Sequence, residues 1–173
     1  AIRICNKERD KKRLQKLITL YCNAHARRKF VESLPTTPEA EYFIKRYTQI
    51  YKIENSLKFI SKSARKKLRK KKRTIMKKMK RLAERYKKEF SSKSSFGVAC
   101  NYFTRNFDGL LAFTFNVKLP IDNNHAERLL RSPVVGRKTW LGTHSKQGAE
   151  TSAILFSIMQ SCRLNKVNPR KYL

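Results

Sequence analysis

The stretch that decides the fold is LPIDNNHAERLLRSP, residues 119–133. It predicts a short helix with a defined start and a defined end. Asn123 or Asn124 can serve as the N-cap, because a short amide side chain accepts hydrogen bonds from the N–H groups of the first turn. With Asn124 as the cap, Glu127 takes the third helical position, which is the capping-box spacing. Pro133 is expected to end the helix, since it lacks an N–H and disfavours helical backbone in the residue before it.

Apolar and charged positions fall on different faces of this predicted helix. Arg128 and Arg131 lie one turn apart, so that the carboxylate of Glu127 has two guanidinium groups as neighbours. On spacing alone, a capping role for Glu127 is favoured over a catalytic one. The positions predicted to face inward are Ala126, Leu129, Leu130 and Pro133.

The composition of the whole chain points to a polyanionic partner. Lys and Arg number 42 against 12 acidic residues in 173, which gives a formal charge of +30 and a pI near 10.5. Such a balance concerns partners and solubility rather than fold. Nucleic acid is the most common partner of so basic a chain, and an acidic membrane surface is second. No apolar run is long enough to span a bilayer, so no membrane partner is expected.

The four cysteines, Cys5, Cys22, Cys100 and Cys162, are scattered and form no Cys-x-x-Cys pair. Reduced thiols in a cytoplasm are therefore expected rather than disulfides. Cys22 and His25 have a Cys-x-x-His spacing, but structural zinc needs four ligands and no second pair with suitable spacing follows. No zinc site is predicted.

Periodicity predicts a largely helical chain with a short strand. A buried strand is expected over Leu17–Cys22, where β-branched and aromatic residues are concentrated. A helix is expected from Ala24 until Pro35 and Pro38 break it. Its predicted inward positions are Phe30, Val31 and Leu34. Apolar residues spaced by three and four then continue as far as Phe90, which predicts one or two long helices, or a helix pair broken near Ser61 to Ser63.

The second of these long helical segments is the most basic part of the chain. Between Lys58 and Phe90 there are 17 basic residues and two acids, Glu84 and Glu89. Two interpretations stay open, a solvated charged face and a phosphate-contacting helix. The lysines are expected to surround the helix more than they line one side of it.

Turn and cap signals divide the last part of the chain. Ser91–Ser95 predicts a hinge before a helix over 96–107, and Asp108-Gly109 predicts a turn. Residues 134–141 are expected to be extended, and Ser145 to cap a helix that runs to about Leu164. The positions of that last helix predicted to face inward are Ala149, Ala153, Phe156, Met159 and Cys162.

Several motifs together resemble the C-terminal part of the insertion-sequence 66 family of transposases, DNA-transposing enzymes of the DDE type with a ribonuclease-H-like catalytic domain. The motifs are CNAHARRKF at 22–30, DNNHAER at 122–128, VGRKTWL at 135–141, SKQGAE at 145–150 and NPRKYL at 168–173. They occur in the order of the family. The resemblance implies a chain truncated at its N-terminus.

The resemblance also implies a catalytic role for Glu127, as the third acidic residue of the triad and a ligand of Mg²⁺ or Mn²⁺. The second acidic position falls on Asn6, a neutral amide that cannot replace a carboxylate; Asp10 is a fallback if the register slips. The first would lie upstream of Ala1. With two of three carboxylates missing, no metal is expected to bind tightly here, and no catalysis is expected from the isolated chain.

DNA is the partner that the resemblance implies, through transposon ends and their phosphate backbone, with an intact transposase copy as a further partner. Seven basic residues are expected to gather around one face of the family fold and to contact phosphate. They are Arg27, Arg28, Lys29, Arg128, Arg131, Arg137 and Lys138. Trp140 is expected to pack in the core. A prokaryotic cytoplasm, in association with the nucleoid, is the expected location.

The predicted fold is mainly α, the C-terminal part of a ribonuclease-H-like α/β domain with a helical, lysine-rich insertion. Three segments are expected: 1–34 from the catalytic core, 35–95 as the basic insertion, and 96–173 carrying the Glu127 helix. A non-catalytic basic nucleic-acid-binding protein is the alternative, in which Glu127 only caps its helix. Association of the polybasic chain with anionic membranes is a third possibility.

Overall fold

The computed structural model describes residues 19–56, 61–116, 118–139 and 142–173. Within these ranges the chain is helical and contains no strand. The mainly α class is thus confirmed, whereas the strand expected over Leu17–Cys22 does not form in its described part, 19–22. The chain divides into two compact units, Ala1–Asp122 and Asn123–Leu173. The division into a catalytic-core remnant, an insertion and a C-terminal part stays a prediction.

Unit 1, as far as it is described, is built from helices joined by short, capped connections. Ser61 caps the long basic helix by accepting from the N–H of Ala64 at 3.3 Å, and Ser94 caps the next one by accepting from Gly97 at 3.0 Å. The predicted break near Ser61 and the predicted hinge at 91–95 are confirmed. The helices are α1 (Asn23–Ser33), α2 (Ala40–Ser56), α3 (Lys62–Glu89), α4 (Ser95–Arg105) and α5 (Phe107–Leu111), followed by a 3-10 turn, Ala112–Thr114.

Aromatic side chains form the core of unit 1. Phe30 of α1 and Phe43 of α2 are stacked, with ring centroids 4.2 Å apart. Phe96 and Phe103 of α4 meet Phe30 edge-on at 6.2 and 6.0 Å. All four rings are fully buried. Each such pair contributes about 0.5–1.5 kcal/mol beyond its buried area, so the cluster fixes how α1, α2 and α4 pack.

Two further sequence predictions in this unit are wrong. Val31 and Leu34 are exposed, because the inward row of α1 consists of Asn23, Ala26, Phe30 and Ser33. Gly109 lies inside α5 rather than in a turn. Its missing side chain serves a close approach, since a Cβ atom there would lie 2.4 Å from the carbonyl oxygen of Thr19.

The described residues of unit 2 form three helices, α6 (Asn124–Thr139), α7 (Lys146–Leu164) and α8 (Pro169–Tyr172). The cap predicted at Ser145 is confirmed, since its hydroxyl accepts from Gly148 N–H at 3.0 Å. Of the inward positions predicted for α7, Cys162 is buried and Phe156 half-buried, but Ala149, Ala153 and Met159 are exposed. Unit 2 therefore covers little of its own apolar surface.

Candidate active-site helix and basic surfaces

The acidic residue of interest lies in the first turn of α6. The helix begins at Asn124, and the N–H of Glu127 donates to the carbonyl of Asn123 at 3.0 Å. Both asparagines proposed as caps are therefore at the helix start, as predicted. A carboxylate in this position is favoured by the positive end of the helix dipole. The Glu127 side chain is exposed and accessible from solvent.

One side of α6 carries both the carboxylate and most of its cations. Asn124, Glu127, Arg128 and Arg131 border a shallow depression along this side. The guanidinium Nε of Arg128 also donates to the carbonyl of Asn124 at 3.3 Å. Lys138 follows Arg131 by seven residues and so lies on the same side two turns later. The exposed carboxylate thus borders the same depression as Arg128 and Arg131, and Lys138 lies on the same side roughly 16 Å further along the axis.

The helix does not end at Pro133 as the sequence predicted. It continues to Thr139, with the proline inside it, so the extended conformation expected over 134–141 is wrong for its described part. Proline already holds a helical φ and removes only one hydrogen bond, which a continuous helix can tolerate at a cost of roughly 3 kcal/mol. The continuation carries Arg137 and Lys138 in the last turn, where cations are favoured by the helix dipole.

Arg137 lies apart from the other cations of α6. It borders a groove of about 570 Å³ between α6 and α7, together with Leu129 and Pro133. Leu130, predicted to face inward, is 61% exposed, whereas Ala126 and Leu129 are half-buried as predicted. The apolar side of α6 is thus a narrow row facing α7.

The three basic residues of α1 differ in how exposed their side chains are and in what they contact. Arg28 is exposed and Arg27 is half-buried. Lys29 packs its ammonium over the ring of Tyr102, 5.1 Å from the centroid, which is a cation–π contact within unit 1. Of this trio, Arg28 is the most accessible to a phosphate. Arg27, Arg28 and Lys29 belong to unit 1, and the four basic residues of α6 to unit 2.

Sequence reasoning missed the buried Asn23, which holds the end of unit 1 in place. Its side-chain amide donates to the carbonyls of Leu110 and Ile121, each at 3.0 Å, and accepts from the hydroxyl of Tyr47 at 3.2 Å. The hydroxyl of Tyr51 donates to Asp122 at 2.9 Å. Burial, with this hydrogen bond, raises the pKa of Tyr51. The only sequence signal was a polar residue at the inward spacing of α1.

A second missed feature is an ion cluster inside unit 1. Arg69 and Lys72 of α3 are buried and both bond to the carboxylate of Glu54 in α2. Arg69 also donates to the carbonyls of Phe113 at 2.7 Å and Leu119 at 3.1 Å. Burial lowers the pKa of Lys72 to about 8 and lowers that of Arg69. Part of the basic run thus anchors the segment after α5.

The carboxylates of unit 2 do not by themselves fit a two-ion metal site. Its sequence holds two acids, Glu127 and Glu150. Glu150 lies on α7, where Lys146 approaches it at 3.9 Å. Two Mg²⁺ or Mn²⁺ ions need several carboxylate oxygens in addition to water and phosphate. Further ligands would have to come from elsewhere, and Asn6, Asp10 and Trp140 lie outside the described residues.

In the part of the chain that the structure describes, no helix combines the length and the apolar character needed to cross a bilayer.

Comparison with known proteins finds long relatives and one family model. The chain is 29% identical over 168 residues to the uncharacterized protein y4hP of Sinorhizobium fredii. This alignment covers 88% of the chain and 30% of y4hP. The chain is 30% identical over 176 residues to the uncharacterized protein y4jD of the same organism, covering 100% of this chain and 34% of that protein. The chain therefore spans about a third of the length of these relatives.

No solved structure matches the chain significantly. The family model described as "Transposase IS66 family" matches residues 10–151, a range that includes both the α1 motif and the Glu127 motif. The chain belongs to the IS66 family of transposases.

Proposed function

We propose that the chain is part of a DNA transposase in which Glu127 supplies one of three metal-binding carboxylates. The observation that carries the proposal is the shared side of α6. There an exposed carboxylate in the first turn borders the same depression as Arg128 and Arg131, and Lys138 lies on the same side in the last turn. A helix cap alone needs no cations on its own side, whereas a site that joins metal and phosphate needs both. The family match over 10–151 supports this reading.

The residues of the chain divide the proposed chemistry between them. Two divalent ions, when bound, would activate the attacking oxygen and stabilise the leaving oxygen of an in-line displacement at phosphorus. Glu127 offers hard oxygen ligands of the kind that Mg²⁺ and Mn²⁺ prefer. Arg128 and Arg131 bind non-bridging phosphate oxygens in fork geometry and orient the DNA strand. Lys138 would extend this contact along the backbone, and Arg28 in unit 1 is a separate candidate for binding phosphate.

We propose further that the chain by itself binds DNA without cutting it. Unit 2 supplies too few carboxylates, and the resemblance to the family implies Asn6 at the position of its second aspartate, with Asp10 as the alternative. A neutral amide cannot hold a divalent ion as an anionic oxygen does. Supercoiled plasmid incubated with the purified chain and Mn²⁺ is therefore expected to stay intact. Cleavage that disappears in Glu127→Gln would refute the inactivity but not the role of Glu127.

The role of Glu127 is tested in a chimera with a longer relative. The chain, carrying Asn6→Asp, is expressed in place of the matching third of y4jD, and joining of DNA ends is measured with Mn²⁺. Glu127→Gln is expected to abolish joining and leave DNA binding nearly unchanged. The matched control is Glu150→Gln, an exposed acid on α7, which should retain joining. Equal joining by Glu127→Gln would contradict the proposal and favour a binding module in which Glu127 only caps α6.

An intact transposase copy is the proposed protein partner, with the chain as an inhibitor. This idea rests on the basic surfaces and helices that the chain retains. Adding the chain to the joining-competent chimera should lower its rate, and an unchanged rate would remove the idea. A cytoplasmic, nucleoid-associated location accompanies this proposal as a prediction.

A further inference from the structure

The solvent side of α3 carries a row of lysines between Lys66 and Lys78. The exposed lysines of this stretch are Lys66, Lys67, Lys70, Lys71, Lys77 and Lys78, and this set is called the outer lysine face. At 3.6 residues per turn these positions fall within an arc of about 140°. The buried row, Arg69, Lys72, Met76, Met79 and Ala83, lies on the opposite side. Lys72 is part of that buried row, so lysines lie on both sides of the helix.

The basic residues of α3 divide by function according to the side they occupy. Arg69 and Lys72 face inward, where both pair with Glu54 and Arg69 also donates to backbone carbonyls. Arg73 donates to the carbonyl of Thr114 at 3.0 Å and so also serves packing. Within the described residues, no ion pair involves the outer lysine face. Its charges therefore contribute nothing evident to the fold.

A helix whose charged side chains served only to keep it in contact with water would carry acidic as well as basic residues on its exposed side. The last part of α3 does so, with Lys80 3.8 Å from Glu84 and Arg85 3.4 Å from Glu89. From Lys62 to Ala83, however, the sequence contains no acid. Like charges one turn apart, such as Lys66 and Lys70, destabilise a helix. The arrangement is unfavourable in the free chain and becomes favourable when a polyanion neutralises it.

The chemistry of the outer lysine face selects among polyanions. An amphipathic helix that inserts into a membrane surface needs large apolar side chains beside its lysines. A platform for single-stranded nucleic acid needs aromatic rings on which bases stack. No large apolar or aromatic side chain of α3 is exposed in the described part of this helix. Ammonium groups alone fit phosphates of a duplex, which present charge without requiring stacking or insertion.

The dimensions are compatible with a duplex. Lys66 and Lys78 are separated by about 18 Å along the axis at 1.5 Å per residue. That length corresponds to roughly half a turn of B-form DNA. Thr74 lies at the centre of the arc and is exposed, so its hydroxyl can also donate to a phosphate oxygen.

We propose that the outer lysine face of α3 binds the phosphate backbone of duplex DNA. This surface belongs to unit 1 and uses none of the residues assigned to the Glu127 helix. It gives the chain a second DNA contact without sequence preference. The DNA partner is shared with the proposed function, but the site is separate and each can fail alone.

The test compares two variants that remove the same charge from unit 1. The face variant carries Lys70→Gln, Lys71→Gln, Lys77→Gln and Lys78→Gln. The control variant carries Lys45→Gln, Lys52→Gln, Lys93→Gln and Arg105→Gln, four exposed cations elsewhere in the same unit. Fluorescence anisotropy with a labelled duplex of about 20 base pairs, roughly two turns, gives the dissociation constant from about 50 to 200 mM KCl.

The face variant is expected to lose affinity by about tenfold or more, and its log–log salt slope should fall by up to about 3.6, or 0.9 per lost contact. The control should stay within about threefold of the wild type, because dispersed charge acts only through the screened long-range field. Circular dichroism should show unchanged or increased helix content in the face variant, since repulsion is relieved.

Equal losses in the two variants would overturn the proposal, because net charge alone would then explain binding. An unchanged salt slope in the face variant would overturn it as well. Loss of binding to vesicles of phosphatidylserine with unchanged DNA affinity would assign the face to membranes instead. Repeating the titration with Glu127→Gln separates the two sites, since that variant should keep the slope of the wild type whether or not Glu127 binds metal.

Discussion

Replacing Glu54 by Gln tests whether the buried ion cluster of unit 1 holds α3 in place. The Glu54 side chain is 16% exposed, and those of Arg69 and Lys72 are 5% and 0% exposed. Removing the carboxylate charge leaves two buried cations without their counter-ion. Breaking a buried pair in this way typically destabilises a protein by about 3–5 kcal/mol. For a chain of this length each kcal/mol lowers the Tm by about 2–4 °C, so a decrease of roughly 6–20 °C is expected.

The measurement is urea and thermal unfolding followed by circular dichroism at the helix band. Glu41→Gln is the matched control, because Glu41 pairs with Lys45 at 2.9 Å on the exposed side of α2, with side chains 58% and 70% exposed. An exposed pair one turn apart contributes about 0.3–0.5 kcal/mol, so this control should barely change the Tm. If Glu54→Gln and Glu41→Gln were equally stable, the cluster would not anchor α3 and the reasoning would be refuted.

Three further predictions follow from buried groups. Burial lowers the pKa of Lys72 to about 8 in the folded chain, whereas its ordinary value is 10.5, so the unfolded state binds more protons between these pH values. The free energy of unfolding of the wild type, relative to that of Lys72→Met, should therefore rise from pH 8 to 10 in urea titrations. A difference that does not change with pH would contradict the shift. Asn23→Ala leaves the carbonyls of Leu110 and Ile121 without the amide donor and should lower stability by about 2 kcal/mol or more in the same assay; a loss like that of an exposed site would mean that the amide is dispensable. Burial raises the pKa of Cys100 to about 12, so mass spectrometry should find its thiol unmodified by iodoacetamide at pH 8 until urea unfolds the chain; rapid alkylation in native buffer would disprove its burial.

Local chemistry made much of the helical plan predictable from the sequence. Ser61, Ser94 and Ser145 each cap a helix through a hydroxyl that accepts from an N–H three residues later. Such signals act over one turn of chain, so they are legible without a structure. Asn168 is a similar local signal, because its side-chain oxygen accepts from the N–H of Arg170, two residues later, at 3.0 Å at the start of α8. The aromatic positions of α4 were legible from their spacing alone.

Features that depend on distant partners were not predictable. Arg69 and Lys72 look like members of a solvated run, and only Glu54, 15 and 18 residues earlier, turns them inward. The sequence predicts a turn at Gly109, because the close approach of the Thr19 carbonyl depends on a residue far away in sequence. It predicts a helix end at Pro133, because the rule for proline describes an isolated helix and not one stabilised by its fold.

The candidate site was predictable in part. The position of Glu127 in the first turn and the neighbouring Arg128 and Arg131 followed from spacing. That Lys138 shares their side of α6 did not, because the sequence predicted no helix beyond Pro133. The metal role of Glu127 and the position of Asn6 rest on family resemblance and stay predictions.

The most direct measurement of the central claim is Mn²⁺ binding to the chimera that joins this chain, with Asn6→Asp, to the remainder of y4jD. Electron paramagnetic resonance reports free Mn²⁺ and so gives the affinity without requiring catalysis. Removal of a carboxylate ligand should weaken binding in Glu127→Gln by at least about the 10–100-fold seen for loss of a supporting group at a metal site, whereas Glu150→Gln should bind as the parent does. Equal Mn²⁺ affinity in the parent and in Glu127→Gln would show that this carboxylate holds no metal.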